Sequence, residues 1–208
     1  MEKADLTKSL KDLYRAGHEI EEVIAERGVF FCVDGRGDPG GDVFQRAVEQ
    51  LKQVAYTVRA RLKKAGRLQF RISKLECRWM CDPGETPREK WLWRVLVRVP
   101  EEVTQNDLRE ARTILRDKKG LDVSAVKRVS WREGRALQVM HVGPYGQVSK
   151  VYADLRAEAE TLGYRVKGPG HEIYINDPRR VEPVKLKTIV RLPIAWPRPD
   201  YARGGSRR

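Results

Sequence analysis

The sequence is short of several things, and each shortage removes a class of protein. Cysteine is scarce: only Cys32, Cys77 and Cys81 occur in 208 residues. Three is too few and an odd number for a disulfide framework, so a reducing, cytoplasmic compartment is expected. Cys77 and Cys81 are separated by three residues, and no second close ligand pair accompanies them. That is a poor zinc pattern beside the simpler reading of small core residues and a free thiol. Histidine is equally sparse, and neither His18 nor His171 has a neighbour suggesting a metal site. No metal and no cofactor are expected. No Ser/His/Asp arrangement is visible from residue order. The run His141-Val142-Gly143-Pro144-Tyr145-Gly146 lacks the glycine-rich phosphate fingerprint, and no Walker lysine follows it. No apolar run approaches the length of a membrane-spanning helix, and the start, MEKADLTKSLKDLYRAG, lacks the apolar stretch of a secretory signal. A membrane partner is therefore not expected.

Charge of one sign is what the chain has in excess. It carries 42 Lys plus Arg against 29 Asp plus Glu, a net +13. Read whole, that suggests nucleic acid or another polyanion. Read by segment, it does not. Residues 59–81 hold eight basic residues and one acidic, and residues 179–208 hold nine and two, +7 each; the rest of the chain sums to −1. On the long helix Arg59, Arg61, Lys63 and Lys64 lie mostly off the apolar stripe. A solvated basic face is the plainer reading, with nucleic acid limited to weak electrostatic contact. A chain of this length with 40% apolar residues can bury a sizeable core. Nothing in the sequence sets its oligomeric state.

The periodicities describe an α+β body. Residues 3–15 read as a short helix ended by Gly17, and 19–25 as a strand. Val29-Phe30-Phe31-Cys32-Val33 is a β-prone run closed by the loop DGRGDPGG. Phe44, Ala47, Val48, Leu51, Val54, Ala55, Val58 and Leu62 recur at helical spacing, with Asp42 as the expected cap and Gln45 three residues on. Strands are expected near 69–80 and 91–99, joined by CDPGETPRE. Thr104 starts another helix, which Gly120 closes. Strands at 125–132 and 135–142, a helix over 147–162, and strands at 171–176 and 185–192 follow. The stretch from Trp196 to Arg208 is expected to be a disordered basic tail.

This order contains a repeat. Strand, Gly/Pro loop, amphipathic helix, strand, strand occurs twice, over about 19–100 and 125–193. The expected fold is two strand–helix–strand–strand units in one body of residues 1–195, forming an antiparallel sheet with helices on one face. The other face, or the seam between copies, would be free to hold a ligand.

Chemistry-bearing residues cluster near that seam. In the strand that begins at His171, alternation sets Glu172, Tyr174 and Asn176 on one face and His171, Ile173 and Ile175 on the other. A carboxylate beside a phenol suits proton transfer or cation binding, and burial would raise the Glu172 pKa as a general base requires. A half-exposed strand with a solvated polar face fits the spacing as well. Glu76 occupies the matching position of the first unit, so two carboxylates could approach one cleft; a surface salt bridge with Lys74 or Arg78 is the competing reading. Trp79, Trp91, Trp93, Trp131, Tyr145, Tyr152 and Tyr174 are available to line a cavity for a planar or cationic ligand, although aromatics are more often core.

Several pieces together carry a family resemblance. They are Val33-Asp34-Gly35-Arg36-Gly37-Asp38-Pro39, the helix from Phe44 to Tyr56, Leu75-Glu76, the strand bearing Trp93, and His141-Val142-Gly143-Pro144-Tyr145. Gly168-Pro169, Glu172-Ile173-Tyr174, Asp177-Pro178 and Leu186-Lys187-Thr188 complete the set. In this order and spacing the chain resembles the GyrI-like small-molecule-binding family over all but its tail. The resemblance implies the duplicated fold and a central groove that takes aromatic, often cationic, small molecules near a glutamate. Some members are effector domains of transcription regulators; no helix-turn-helix domain is expected beside the duplicated unit here. Stand-alone members hydrolyse cyclopropane-bearing DNA-alkylating toxins. By that resemblance Glu172 is the base or water-orienting carboxylate, Tyr145 a donor or orienter, and Trp79, Trp93 and Tyr174 the aromatic walls, with Glu76 on the far side of the groove. The chain departs from the family pattern after Leu75-Glu76, where Cys77-Arg78-Trp79-Met80 replace a glycine followed by aromatics.

Overall fold

A computed structural model describes residues 3–81 and 85–197. These residues form five α-helices and nine strands. In chain order the elements are α1 (Leu6–Ser9), α2 (Lys11–Tyr14), β1 (Glu21–Ala25), β2 (Gly28–Arg36), α3 (Asp42–Lys64), β3 (Leu75–Trp79) and β4 (Leu92–Val99). Then come α4 (Gln105–Lys119), β5 (Lys127–Trp131), β6 (Gly134–Val142), α5 (Val148–Thr161), β7 (Arg165–Val166), β8 (Gly170–Tyr174) and β9 (Lys187–Ala195).

Eight strands follow the order β1-β6-β9-β8-β3-β4-β2-β5, all pairs antiparallel, with β7 attached to β9. The repeat is visible in this order. The units are β2-α3-β3-β4 and β6-α5-β8-β9. In each, the first strand pairs with the last and the last with the middle one. The two middle strands, β3 and β8, then pair with each other and form the seam.

Two strands outside the repeat force the sheet to curl. β1 runs into β2 through Glu26 and Arg27 alone, yet the two lie six places apart along the sheet. Six strand spacings laid flat are about 29 Å, whereas three peptide steps reach at most about 11 Å. Only a strongly curved sheet satisfies both, and β5 running into β6 through Arg132 and Glu133 imposes the same condition at the other end.

The core lies mainly on the helix-bearing face. Val29, Phe31 and Val33 of β2 and Trp93, Val95, Val97 and Val99 of β4 meet the α3 stripe of Phe44, Ala47, Val48, Leu51, Val54, Ala55, Val58 and Leu62. α4 adds Leu108, Ala111 and Leu115 to the same cluster. α5 covers the second unit through Val148, Leu155 and Ala159 against Leu137, Val139, Val190, Leu192 and Ile194. The opposite face is closed partly by the N-terminal segment, whose Leu13 and Tyr14 pack on Ala136, Ile173 and Ile189.

Local departures from expectation have local causes. The helix expected over 3–15 breaks into two short pieces at Leu10, whose backbone is non-helical (φ −112°, ψ 54°). Asp42 does not cap α3; Gly41 holds that position without a side-chain bond, Asp42 is the first helical residue, and Gln45 donates to the Pro39 carbonyl. The strand expected from 69 to 80 is regular only from Leu75, and Phe70 instead bridges to Ala4. Thr104 and Asp107 do form a full capping box, and Gly120 closes α4 in the left-handed region at φ 63°. Of the loop CDPGETPRE, residues 82–84 lie outside the described residues, as do 198–208 of the expected tail.

Candidate active site at the seam of the two units

The seam places the candidate residues by register. Cys77 faces Glu172 across the β3–β8 pair, Trp79 faces Gly170, and Leu75 faces Tyr174. Residues directly opposite in an antiparallel pair point to the same side. Leu75, Cys77, Trp79, Glu172 and Tyr174 therefore share the face that bears α3 and α5. Glu76, Arg78, His171 and Ile173 share the other.

On the helix face the Glu172 carboxyl is buried among aromatic side chains. The Trp79 indole N–H donates to its Oε1 at 2.6 Å, and the Tyr174 hydroxyl donates to its Oε2 at 3.0 Å. Burial pushes the Glu172 pKa up to about 7, and the two donors only partly offset it. Burial, with the Glu172 charge adding to it, holds the Tyr174 hydroxyl far above its ordinary range. Tyr152, from α5, completes the surround. Its ring lies where a Cβ on Gly170 would come within 2.5 Å, so only glycine fits that position of β8. The buried Tyr152 hydroxyl also acts to hold the Glu172 pKa down, less than Trp79 and Tyr174 do.

A cavity of about 470 Å³ opens beside this carboxyl, lined by Trp79, Met80, Cys81, Tyr152 and Gly168 to Gly170, with Ser149 and Arg156 among its polar lining. Trp79 and Tyr152 thus face both the cavity and Glu172. Trp79 is held by Phe44, parallel at 6.4 Å, and by Trp91, edge-on at 5.2 Å. Tyr145, partly exposed after β6, meets the Tyr174 ring edge-on at 5.5 Å. Burial, with Glu172 adding to it, raises its hydroxyl pKa to about 12.

Two expected site residues lie elsewhere. Trp93 is one strand further out, opposite Trp79 across β3–β4, and fully buried. It donates to the Gly37 carbonyl at 3.1 Å and meets Phe44 edge-on, filling space that a Cβ on Gly35 would occupy to within 2.0 Å. It is core and does not line the cavity. Glu76 is on the opposite face of the sheet from Glu172, because the pairing aligns it with Ile173. It accepts a hydrogen bond from the Tyr14 hydroxyl at 2.8 Å and lies 3.0 Å from His171 Nε2. The two glutamates do not share a cleft.

His171 instead anchors a buried ionic cluster behind the site. Its Nδ1 is 3.1 Å from Glu133, which also accepts from Arg191 at 3.0 Å. Arg191 donates further to Gln138 and to the Leu13 carbonyl. Burial acts to raise the Glu133 pKa, but His171 and Arg191 outweigh it and hold it at about 2. Burial likewise acts to lower the His171 pKa, and Glu133 and Glu76 overcome it. Arg78 stacks 4.3 Å over the Trp131 ring on this same side.

Part of the basic stretch is engaged within the molecule, while Lys63, Lys64, Arg67 and Arg71 remain exposed. Arg59 donates to the Phe70 carbonyl, Arg61 pairs with Glu110, Arg67 with Asp107 and Arg71 with Asp5. Among the described residues no group of three or more His, Cys, Asp or Glu is placed to hold a metal, and no helix is long and apolar enough to cross a membrane.

A sequence profile of the GyrI-like small molecule binding domain matches residues 19–195. The chain belongs to this family. An uncharacterized conserved protein from Listeria innocua is 36% identical, with 93% of this chain and 100% of that one covered and a TM-score of 0.87. A hydrolase from Listeria innocua is also 36% identical over the same shares, at a TM-score of 0.84. The C-terminal domain of EcmrR shares the fold alone, at 13% identity and a TM-score of 0.56, with 86% of this chain and 97% of that one covered. Comparison with curated proteins finds none that matches. The GyrI-like chain described here therefore carries a small-molecule-binding domain, and the cavity beside Glu172 lies at the seam of its two units.

Tyr152 is the site residue that sequence reasoning left out of the site. It counted among the available aromatics, but its place in the α5 stripe makes it look like core. The signal that would single it out is Gly170, which faces Trp79 in the register and leaves room for a ring.

Proposed function

We propose that this protein binds aromatic small molecules in the cavity beside Glu172 and hydrolyses cyclopropane-bearing alkylating toxins there. One observation carries the reading: a buried carboxyl with a pKa of about 7, held by an indole N–H and a phenol, adjoins an aromatic-walled cavity. A group poised near neutrality both takes and returns a proton at little cost. The likeness to a Listeria innocua hydrolase at 36% identity supports the choice of hydrolysis over binding alone.

In the proposed reaction the ionised Glu172 takes a proton from a water molecule. Both carboxylate oxygens already accept one hydrogen bond, and each keeps a second lone pair for this task. The water oxygen attacks a cyclopropane carbon conjugated to a dienone. The strained C–C bond breaks, and its electron pair passes through the ring to the carbonyl oxygen, which becomes a phenolate. Glu172 returns the proton, so the net change is addition of one water. Trp79 and Tyr174 orient the carboxyl, and Trp79 with Tyr152 supplies flat walls for the substrate. Tyr145, packed edge-on against Tyr174, acts as a donor that steadies the developing oxyanion. Glu76 and Trp93 take no part.

The test is turnover. Wild-type protein should convert a spirocyclopropyl dienone to its ring-opened hydrate through many cycles. Glu172→Gln should bind the substrate, read by tryptophan quenching, with affinity close to wild type and lose most of the rate. Wild-type binding with only the buffer rate would leave a non-catalytic binding module and end the hydrolytic reading.

A further inference from the structure

The strand that carries Glu172 has buried charged groups on its other face that the hydrolytic reading does not use. We propose that His171 is a positioning residue for Glu172: clamped as an imidazolium between Glu76 and Glu133 on the back of β8, it holds the carboxyl in place and favours its ionised form. The inference rests on the reading of Glu172 as the base, and it adds the part of the molecule that sets when that base is charged.

His171 immediately precedes Glu172 in β8, so their Cα atoms are about 3.8 Å apart and their side chains leave opposite faces of the sheet. The His171 ring is fully buried and held from both ends. Its Nδ1 lies 3.1 Å from each carboxylate oxygen of Glu133, and its Nε2 lies 3.0 Å from Glu76. A neutral imidazole has one N–H and one lone pair, so one nitrogen would turn its lone pair on a carboxylate. Only the imidazolium presents an N–H to both. The clamping carboxylates are themselves fixed, Glu133 by Arg191 at 3.0 Å and Glu76 by the Tyr14 hydroxyl at 2.8 Å. Trp131 meets the ring edge-on at 5.7 Å. Any shift or rotation of β8 breaks these contacts, so the Glu172 carboxyl keeps its place between Trp79 and Tyr174.

The charges around His171 are arranged across the strands. Arg78 of β3 and Arg191 of β9 both stand directly opposite it in the register. Like charges so placed repel. The Glu133 carboxylate, between His171 and Arg191, offsets this on one side, and Arg78 turns onto the Trp131 ring on the other. Arg98 of β4 and Glu26 after β1 border the same interior space; Arg98 donates to the Arg27 carbonyl, and Glu26 pairs with Arg132. On the front face, the titratable groups around Glu172 are Cys77 of β3, Tyr152 of α5, Tyr174 of β8 and Tyr145. Burial keeps the proton on each of them near neutral pH. The charge adjoining Glu172 along the chain is therefore His171. Burial raises the Glu172 pKa, and the His171 charge opposes it together with the bonds from Trp79 and Tyr174.

The two partners of this clamp act with opposite sign. Removing the imidazolium leaves the Glu76 and Glu133 charges behind Glu172 without their counter-charge, so Glu172 holds its proton to higher pH. Removing the Glu76 charge, while Glu133 still holds His171 protonated, lets Glu172 release its proton at lower pH. At an effective dielectric constant of about 20, a unit charge about 10 Å away shifts a titration midpoint by about one pH unit. A packing role alone gives no such pair of opposite shifts, because loosening β8 impairs the site in the same way from either side.

The experiment follows the carboxyl itself and needs no turnover. Full-length protein isotopically labelled at the glutamate side-chain carboxyl is titrated by NMR, and the Glu172 resonance is assigned by its loss in Glu172→Gln. It should titrate at about 7 in the wild type, about one unit higher in His171→Gln, and lower in Glu76→Gln. The pH profile of kcat/KM for a spirocyclopropyl dienone should move with it in both variants. Unchanged midpoints, or midpoints displaced the same way in both variants, would overturn the proposal. Should His171→Gln not fold, Glu76→Gln decides alone: a lowered midpoint supports the proposal, and an unchanged or raised one overturns it. A wild-type Glu172 titrating near its ordinary 4.5 removes the poised carboxyl and the proposal with it. If the midpoints move as expected and product forms only at the buffer rate, the clamp stands and the hydrolytic reading alone fails.

Discussion

Replacing Glu172 by Gln should make the protein markedly more stable near pH 8 and change it little near pH 4. The carboxyl titrates at about 7 in the folded protein, against an ordinary value of 4.5. Below 4.5 it is protonated whether the chain is folded or not. Between 4.5 and 7 the unfolded chain has released the proton while the folded protein still holds it. Wild-type stability therefore falls as pH rises through that window. At about 1.4 kcal/mol for each pKa unit, the loss reaches about 3 kcal/mol above neutrality. Gln mimics the neutral carboxyl: its carbonyl still accepts from Trp79, and its amide can donate to the Tyr174 oxygen. The variant escapes the penalty at every pH. Thermal melting of both proteins from about pH 4 to pH 8 reads the difference directly, because other titrating groups largely cancel. For a chain of this size about 3 kcal/mol corresponds to roughly 6–12 °C in Tm. A Tm difference flat across the window, or a variant less stable than wild type near pH 8, would refute the buried, proton-holding carboxyl.

Other expectations follow from the same contacts. Gly170→Ala drives a methyl into the Tyr152 ring at 2.5 Å; by the usual cost of overpacking it should destabilise by about 1–3 kcal/mol and weaken aromatic ligand binding more than a distant substitution of equal cost, as denaturation and tryptophan quenching would report. Arg191→Met leaves Glu133 in the buried cluster without its arginine. Urea denaturation near neutral pH should show a loss of about 3–5 kcal/mol, shrinking as the pH falls toward 2 and Glu133 protonates. Trp93→Ala should cost about 3–5 kcal/mol of stability while leaving the affinity of folded protein for an aromatic ligand near wild type, because Trp93 is behind Trp79 and off the cavity wall.

Much of the fold is written in local patterns. The α3 stripe, the Thr104–Asp107 box and the twofold order of strands and helices depend on neighbours three or four residues apart, or on turn chemistry, and these are visible without a partner. Alternation also places Glu172 beside Tyr174 and opposite His171. Pairing between distant strands has no such local mark. Glu76 and Glu172 occupy matching places in the two units, which suggests a shared cleft. The β3–β8 register instead aligns Cys77 with Glu172 and turns Glu76 away toward Tyr14 and His171. The exchange of β1 and β5 between units is similarly non-local, since each pairs with a strand more than ninety residues away. Trp79 and Trp93 look alike in sequence, and only the cross-strand order separates a cavity wall from core. The basic residues of the α3 end are read as a solvated face; Lys63 and Lys64 are exposed, whereas Arg59 and Arg61 reach the Phe70 carbonyl and Glu110.

The most direct test of the central claim, that Glu172 activates water against a strained ring, is a pH–rate profile run in isotopically labelled water. Product should form well in excess of protein, with one solvent oxygen in each molecule and kcat/KM rising with pH to a plateau above about 7, where Glu172 is ionised. Saturable binding with product formed only at the buffer rate, or a rate indifferent to pH and to Glu172→Gln, would contradict it.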